Sequence, residues 1–320
     1  MKNSAVYYSV GALLYCPANS TKIVKYLMQE KFGTQYSLAL CLEDTINDDF
    51  IENAEIQLVR TITDLYYLKD KGFFIPKIFI RVRNPRQITA LTGRMGEASN
   101  LITGFIIPKF SLENADMYID KIIYMNVIYE HPVYMMPILE SPEIIPPQNR
   151  INVLYALKEK LDTIEEHVLN IRVGGNDLCH MFGFRRHSNE SIYQIKPIAD
   201  IFSDIVTIFG MDYVLSAPVW EYYSGDGWDI GLAAEIQQDK LCGFVGKTVI
   251  HPNQIPVVNQ CYRVSEKDYK DAQAILNWNS KSESLVSGSV NKERMNEYKV
   301  HSNWAKKILI LAEVYGIEIE

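Results

Sequence analysis

The feature that most constrains the fold of this chain is a regular alternation of short apolar runs with longer amphipathic stretches. Eight runs rich in β-branched and aromatic residues are typical of strands, and they cover residues 11–16, 36–42, 77–83, 101–108, 133–139, 167–173, 213–219 and 243–250. Helical periodicity predicts helices between them, at about 21–31, 50–71, 86–98, 111–129, 148–161, 196–210 and 228–240. The near-continuous apolarity of the runs indicates strands buried on both faces of a parallel sheet. The pattern therefore predicts an α/β fold, a (β/α)8 TIM barrel.

The main structural alternative is an open, doubly wound sheet. Such sheets usually carry a glycine-rich phosphate turn, and the sequence contains neither G-x-G-x-x-G nor a Walker loop. After residue 260 the pattern changes to a helix at 265–278, a polar and Ser-rich segment at 279–296 that we expect to be a mobile loop, and a helix at 300–315. We therefore divide the chain into a catalytic barrel, 1–260, and a C-terminal helical extension, 261–320, that packs on the barrel or caps a neighbouring subunit.

Composition places the chain among soluble globular proteins, with 48% hydrophobic and 22% charged residues. The net charge of −7 argues against a general nucleic-acid or membrane-surface binder. No apolar run approaches the ~20 residues that span a bilayer. Polar residues interrupt the first apolar segment, so we expect a first strand there rather than a signal peptide. Five scattered cysteines without a C-x-x-C motif indicate reduced core residues of a cytoplasmic protein.

Polar side chains follow nearly every predicted strand at the point where it ends. In chain order they are Asn19, Glu43, Asp44, Arg81, Arg83, Lys109, Glu140, Asp177, Glu221 and His251. Buried charges are costly unless they are paired or bound to metal, so this arrangement is not expected of a core. Because barrel enzymes keep their chemistry at the carboxyl ends of the strands, we predict that these residues surround one cavity.

Glu140 and Asp177 are the candidate metal ligands. Each closes an apolar run, and two hard oxygen ligands with open coordination positions suit Mg²⁺ or Mn²⁺. The alternative is that either carboxylate caps the helix that follows it.

Arg81 and Arg83 are candidates for binding an anionic substrate. Side chains alternate along a strand, so the two share a face and at least one should point inward. A guanidinium there can hold a carboxylate. The alternative is a buried ion pair with Glu43 or Asp44, and both roles can hold at once.

Two glycines and a histidine complete the candidates. Gly174 and Gly175 precede Asp177 and permit either a close approach of the backbone, as to a substrate, or a turn with positive φ; a plain loop is the alternative. His251 could act as a base, but a structural histidine is the more common case.

Seven segments resemble, in family order, the superfamily of citrate lyase β subunits, malyl-CoA lyases and metal-dependent 2-keto-acid aldolases. They are LLYCPANS (13–20), LCLEDTI (40–46), IRVRNP (80–85), GFIIPK (104–109), PILESP (137–142), GGNDLCHMFGFRR (174–186) and GFVGKTVIHPNQI (243–255). The last is the most specific, being close to the family's GFDGKWAIHPSQI. The resemblance spans residues 13–260.

The resemblance implies a (β/α)8 barrel that binds Mg²⁺ through Glu140 and Asp177. It implies that Arg81 binds the substrate's carboxylate or keto group and that Glu43 and Asp44 orient this arginine. It further implies a trimer or hexamer. Arg83 stands where the family has asparagine, and the basic residue that follows the family's first-strand motif is missing, which weakens the case for coenzyme A. Residues 220–240 look like a divergent branch found with bacterial tellurium- or stress-resistance genes.

The resulting hypothesis is a Mg²⁺-dependent carbon–carbon lyase. It would cleave or form an aldol-type bond through the metal-stabilised enolate of a 2-keto or hydroxy acid, a small anionic substrate. One alternative is an acyl-CoA thioester lyase or hydrolase of the same fold. The other is a binding or scaffold protein that kept the fold without turnover.

Overall fold

The structure, a computed structural model, describes residues 2–279 and 281–318 of the chain. Its main sheet consists of eight parallel strands: β1 (Ala12–Pro17), β2 (Ser37–Cys41), β3 (Lys77–Arg81), β4 (Ile102–Ile107), β5 (Tyr134–Leu139), β6 (Ile171–Val173), β7 (Leu215–Ser216) and β8 (Lys247–Val249). They neighbour one another in the order β7-β6-β5-β4-β3-β2-β1-β8. A parallel bridge between Ala217 and Lys247 brings the two ends of the sheet together. The predicted (β/α)8 barrel is confirmed.

Helices follow the strands and surround the barrel. They are α1 (Ile23–Met28), α2 (Ile51–Leu68), α3 (Pro85–Met95), α4 (Ala115–Ile128), α5 (Pro147–Asp162), α6 (Gly175–Phe182), α7 (Lys196–Phe209), α8 (Trp228–Leu241) and α9 (Gln254–Tyr262). The clearest predicted helix, α2, buries Ala54, Leu58, Ile62 and Leu65 against the barrel, which is the stripe that a helical period requires.

Two helices, α6 and α9, were not predicted. Each is short, with 8 and 9 residues. Helix α6 begins directly at Gly175, and α9 contains Pro256, so both sequences read as loops. Helix α6 matters most, because it carries Asp177 in its first turn.

The chain beyond α9 forms β9 (Val264–Ser265), α10 (Glu266–Leu276), β10 (Val286–Gly288), β11 (Met295–Glu297), α11 (Tyr298–Tyr315) and β12 (Ile317–Glu318). Strands β10 and β11 pair as an antiparallel hairpin inside the segment expected to be a loop. Ser280 of that segment lies outside the described residues. So do Met1, in the predicted barrel 1–260, and residues 319 and 320 of the extension.

The C-terminal helical extension packs on the barrel of its own chain. Leu311, Val314 and Tyr315 of α11 join an apolar cluster with Val214 and Val245, which precede β7 and β8. The Tyr315 hydroxyl also donates a hydrogen bond of 2.7 Å to the carbonyl of Tyr8, ahead of β1. The extension therefore covers the amino end of the barrel and leaves the carboxyl end to the predicted functional residues.

The burial of the cysteines agrees only partly with the expectation of core residues. Within the described residues, no helix is both long and apolar enough to cross a membrane. All five cysteines are free. Cys41 and Cys179 are buried as expected, whereas Cys242 is exposed.

Candidate functional site

Four neighbouring strands bring most of the predicted site residues together. Glu43 and Asp44 follow β2, Arg81 is the last residue of β3, and Glu140 directly follows β5. Parallel strands β2 to β5 are adjacent, so their carboxyl ends lie side by side. The fourth contributor, Lys109, follows β4. We call the set Glu43, Asp44, Arg81, Lys109 and Glu140 the carboxylate cluster.

The guanidinium of Arg81 lies at the centre of this cluster and contacts three carboxylates. Its Nη2 is 2.8 Å from Oε2 of Glu43 and 3.4 Å from Oε1 of Glu140, and its Nη1 is 3.0 Å from Oδ2 of Asp44. Arg81 is buried, and its Nε–H has no hydrogen-bond partner among the described residues. The ion pairs with Glu43 and Asp44, which the sequence offered as the alternative role of Arg81, are present, and Nε–H is left as a buried donor without a described partner.

Lys109 is the functional candidate that sequence reasoning missed, since it was noted only as a strand-end residue. Its backbone has a φ of 48°, which is uncommon for a residue other than glycine. In this conformation its N–H donates to Oε1 of Glu140 at 3.0 Å, while its Nζ contacts Glu43 at 2.5 Å and Asp44 at 3.3 Å. Lys109 therefore holds carboxylates from two strands at once. The motif GFIIPK (104–109) was the available signal.

Glu140 is enclosed in a way that leaves one oxygen available. Both donors that reach it, from Arg81 and Lys109, bind Oε1, and Oε2 accepts no hydrogen bond from the described residues. The pKa of Glu140 is raised to about 8, mainly because the carboxyl is buried; Arg81 lowers it and the nearby Asp177 raises it, and both effects are included in this value. These contacts come from other strands, so Glu140 does not cap the following helix.

Gly174 makes room for the Glu140 carboxylate. A Cβ atom on Gly174 would lie 1.9 Å from Oε2 and 2.3 Å from Cβ of Glu140, so an alanine cannot fit without displacing this side chain. The φ of Gly174 is −93°, so this residue does not form a turn with positive φ. Of the two predicted roles, the close approach of the backbone is the one observed, and the group approached is the side chain of Glu140. At Gly175, a Cβ would instead meet Ile192 at 2.5 Å and Pro218 at 2.9 Å, so this glycine serves packing.

Asp177 projects from the first turn of α6 and is half-buried. It is not the N-cap residue, which is Gly174, and it makes no hydrogen bond or ion pair with the described residues. Its charge nevertheless acts on Glu140, because it raises the pKa of that carboxyl. Two carboxylates from different elements thus lie near each other, each with oxygen atoms free of protein donors.

The charge of this region is unbalanced. Four carboxylates, those of the cluster and Asp177, face two cations, Arg81 and Lys109, so the fully ionised site has a net charge of −2. Such a site attracts a divalent cation, and oxygen-only ligands suit Mg²⁺. Among the described residues, no group of three or more His, Cys, Asp or Glu side chains is arranged to hold a metal, so any ion here would rest on two protein carboxylates.

Two further predicted residues lie apart from the cluster. Arg83 does not share a strand face with Arg81, because β3 ends at Arg81; it pairs with the exposed Asp48 at 2.6 Å. His251 stacks on Tyr223 with ring centroids 4.6 Å apart, and its Nδ1 accepts the N–H of Asn253. These contacts support the structural alternative for His251.

Comparisons with known proteins agree with this architecture. A family model described as C-C bond lyase of the TIM-barrel fold matches residues 4–317. CitE of Mycobacterium tuberculosis, solved in complex with magnesium, acetoacetate and coenzyme A, is 18% identical with a TM-score of 0.59, covering 96% of this chain and 99% of its own.

Other solved structures are similar at the same level. The citrate lyase β subunit of M. tuberculosis complexed with oxaloacetate and magnesium is 19% identical, with a TM-score of 0.53, and the match covers 81% of this chain and 100% of that one. RipC from Yersinia pestis is 16% identical, with a TM-score of 0.54, and the match covers 80% of this chain and 95% of RipC. No curated protein matches the chain significantly. At these identities the structural likeness shows the fold.

Proposed function

The chain belongs to the carbon–carbon bond lyases of the TIM-barrel fold, and from this premise we propose that it is a Mg²⁺-dependent lyase acting on a 2-keto or hydroxy acid. The observation that carries the proposal is the pair Glu140 and Asp177: Oε2 of Glu140 and the carboxylate of Asp177 accept no hydrogen bond from the described residues, and the fully ionised site has a net charge of −2. Two solved structures support the same chemistry: CitE contains magnesium with acetoacetate, and the citrate lyase β subunit contains magnesium with oxaloacetate.

The residues present fit the ion. Oε2 of Glu140 lies in the space that Gly174 leaves open, and Asp177 approaches from α6. Mg²⁺ held by these two carboxylates would supply Lewis-acid stabilisation of the negative charge that develops on a substrate oxygen. Mn²⁺ prefers similar ligands and would substitute.

The protein's own groups prepare the site for an anionic substrate. Glu43 and Asp44 fix the guanidinium of Arg81, so that this cation is held in place before the substrate binds. A preorganised cation of this kind stabilises an enolate without reorganising during the reaction. Lys109 and Arg81 together offset the charges of Glu43 and Asp44, which reduces the repulsion between these carboxylates and an anionic substrate.

The test is Mg²⁺-dependent carbon–carbon cleavage or condensation with pyruvate, glyoxylate and oxaloacetate as partners, in wild type and in Glu140→Gln. Loss of one metal ligand should lower the rate by roughly 10²–10⁴. The matched control is Glu166→Gln, because Glu166 is 82% exposed and lies before β6, at the amino end. Full activity in Glu140→Gln would contradict the proposal.

A coenzyme A thioester is the second candidate substrate, because the CitE structure cited above contains coenzyme A. The resemblance places a coenzyme A contact in the segment that follows β1, where this chain has Ser20-Thr21-Lys22 and lacks the family's basic residue, which weakens this candidate. Isothermal titration of the protein with coenzyme A separates the alternatives: measurable binding favours the thioester, and none favours the free acid.

We also propose a homo-oligomer, in line with the trimer or hexamer implied by the resemblance. The support is a set of large apolar side chains that α4 and α5 leave exposed in the single chain: Met117, Tyr124, Val127, Ile128, Ile151 and Tyr155. Exposed apolar surface often marks a protein interface where such side chains lie together. Light scattering of the purified protein measures the assembly directly.

A further inference from the structure

The amino end of the barrel contains a cavity of about 330 Å³, which we call the amino-end cavity. It lies where the chain enters β1, β2 and β3, and Val314 and Tyr315 of α11 bound it on the side of the C-terminal extension. Thr34 and Gln35, which also line it, are exposed, so the cavity is open to solvent. A small molecule can therefore enter it from outside.

Lys77, the first residue of β3, is the only charged residue that lines this cavity. It is half-buried and forms no ion pair with the described residues. Its Nζ donates one long hydrogen bond, of 3.4 Å, to the carbonyl of Ser9. Burial lowers the pKa of the Lys77 ammonium, an effect that a nearby carboxylate would oppose. The ammonium thus keeps a charge and donors that no described acidic group satisfies.

Aromatic side chains form much of the remaining wall. The rings of Tyr36 and Phe74 lie with their centroids 5.9 Å apart, and the ring of Tyr315 belongs to the same lining. The amide of Asn259 is held by the carbonyl of Gln35 at 2.8 Å. Small-molecule sites typically combine an apolar wall with a few polar groups that fix orientation. Aromatic walls with one free cation match an acid that carries an apolar ring.

The amino-end cavity is separate from the carboxylate cluster. Lys77 and Arg81 lie at opposite ends of β3, which places them ~13 Å apart along the strand. Phe79 lies between them on the same strand face, is fully buried, and packs with Leu13 and Met136 in the barrel interior. A ligand in this cavity therefore does not reach the reacting atoms at the carboxyl end.

We propose that the amino-end cavity is a second ligand site, which binds a small aromatic monocarboxylate. The carboxylate pairs with Lys77, and the ring packs against Tyr36, Phe74 and Tyr315. At the ~30 Å³ that one water molecule occupies in the liquid, the cavity has room for about ten non-hydrogen atoms. The inference does not depend on the proposed lyase function, because it uses no residue of the carboxylate cluster.

The test is a titration of the full chain with phenylacetate, a ligand of this size, followed by saturation-transfer NMR. Phenylacetamide has the same shape without the charge, and acetate has the carboxylate without the ring. For phenylacetate we expect a Kd of about 10 mM or tighter. Loss of a bond between charged groups predicts that phenylacetamide binds about 10-fold or more weakly. Acetate should bind more weakly as well, because it lacks the ring.

Three variants locate the site. Lys77→Met removes the ammonium, so it should weaken phenylacetate binding by about 10-fold or more and leave phenylacetamide binding unchanged. Lys77→Arg keeps the charge and should retain most of the affinity for phenylacetate. The matched control is Lys71→Met, because Lys71 is exposed and does not line the cavity; it should bind like wild type. The comparison of phenylacetate with phenylacetamide on wild type tests the proposal even if Lys77→Met does not fold.

Several results would overturn the inference. Absence of phenylacetate binding to wild type would mean that the cavity holds solvent only. Equal affinities for phenylacetate and phenylacetamide, or an unchanged affinity in Lys77→Met, would exclude the predicted ion pair. Inorganic phosphate that binds as tightly as phenylacetate, and depends equally on Lys77, would show a site for free anions.

A last comparison separates this site from the proposed lyase site. Glu140→Gln should bind phenylacetate like wild type, with or without Mg²⁺. Binding that required Mg²⁺ or Glu140 would place the ligand at the carboxylate cluster and contradict a site in the amino-end cavity. Loss of the lyase proposal alone would leave the phenylacetate result unchanged.

Discussion

Substituting Gly174 with alanine tests how closely the backbone approaches the candidate metal ligand. The added Cβ would lie 1.9 Å from Oε2 of Glu140, so the carboxylate must move. Moving it strains or breaks its bonds to the Lys109 N–H and to Arg81. Overpacking costs typically ~1–3 kcal/mol. Loss of hydrogen bonds to a charged group costs about 1.5–3 kcal/mol. We expect a net destabilisation of roughly 2–4 kcal/mol. The two costs do not add fully, because a carboxylate that moves aside relieves part of the overpacking while it loses its hydrogen bonds.

The matched control is Gly93→Ala. Gly93 lies within α3, and a Cβ there would meet no atom within 4 Å. Alanine should therefore stabilise the helix by roughly 0.5–1 kcal/mol. Denaturant unfolding measures both variants, and Mg²⁺ titration should show weaker binding only for Gly174→Ala. If Gly174→Ala were as stable as Gly93→Ala and bound Mg²⁺ like wild type, the described position of Glu140 would be wrong.

Three other perturbations follow from the same geometry. Lys109→Met keeps the strained backbone and its N–H bond but removes the ammonium, so activity should fall by about 10-fold or more through misplacement of Glu43 while the fold persists, as circular dichroism would verify. Without metal, the pKa of Glu140 rises from 4.5 in the unfolded chain to about 8 in the folded chain, so the folded chain binds this proton more tightly. The stabilisation from this proton is complete below about pH 4.5 and is lost as the pH rises through about 8. Saturating Mg²⁺ should flatten this component of the Tm–pH profile, and Glu140→Gln should lack it. Lys247→Met leaves the buried carboxylates of Glu235 and Asp239 without their shared cation, at a cost of about 3–5 kcal/mol in unfolding free energy, whereas a cost below ~1 kcal/mol would refute the ion-pair assignment.

The sequence predicted the barrel because its signal is repeated and strong. Each strand of a TIM barrel is buried on both sides, and eight apolar runs separated by helical periods leave few other architectures. The strand ends were less accurate, since β7 has only two residues where seven were expected. A strand ends where its backbone stops pairing with the neighbouring strands. Because those strands lie elsewhere in the chain, the local apolar pattern does not show where the pairing stops.

Candidate site residues were predictable where position along a strand sufficed. Glu43, Asp44, Arg81 and Glu140 meet because their strands are adjacent. The role of Lys109 was not predictable from spacing. It depends on a positive φ, with which its N–H reaches the carboxylate after β5 while its ammonium reaches the carboxylates after β2.

Other contacts depended on where a strand ends and on distant partners. Arg83 was expected to face the cavity, but β3 ends two residues earlier and the side chain turns to Asp48. Arg172 of β6 is buried and has no ion pair among the described residues, and the sequence could not show this because possible partners come from every part of the barrel.

Mg²⁺-dependent binding of a keto acid tests the central claim most directly. Thermal shift with pyruvate, glyoxylate and oxaloacetate should be recorded for wild type, Asp177→Asn and Glu140→Gln, each with and without Mg²⁺. We predict that a keto acid stabilises wild type, beyond any effect of the metal alone, only when Mg²⁺ is present, and that it stabilises neither variant. Stabilisation that persists without Mg²⁺, or that survives in both variants, would contradict a metal site at Glu140 and Asp177.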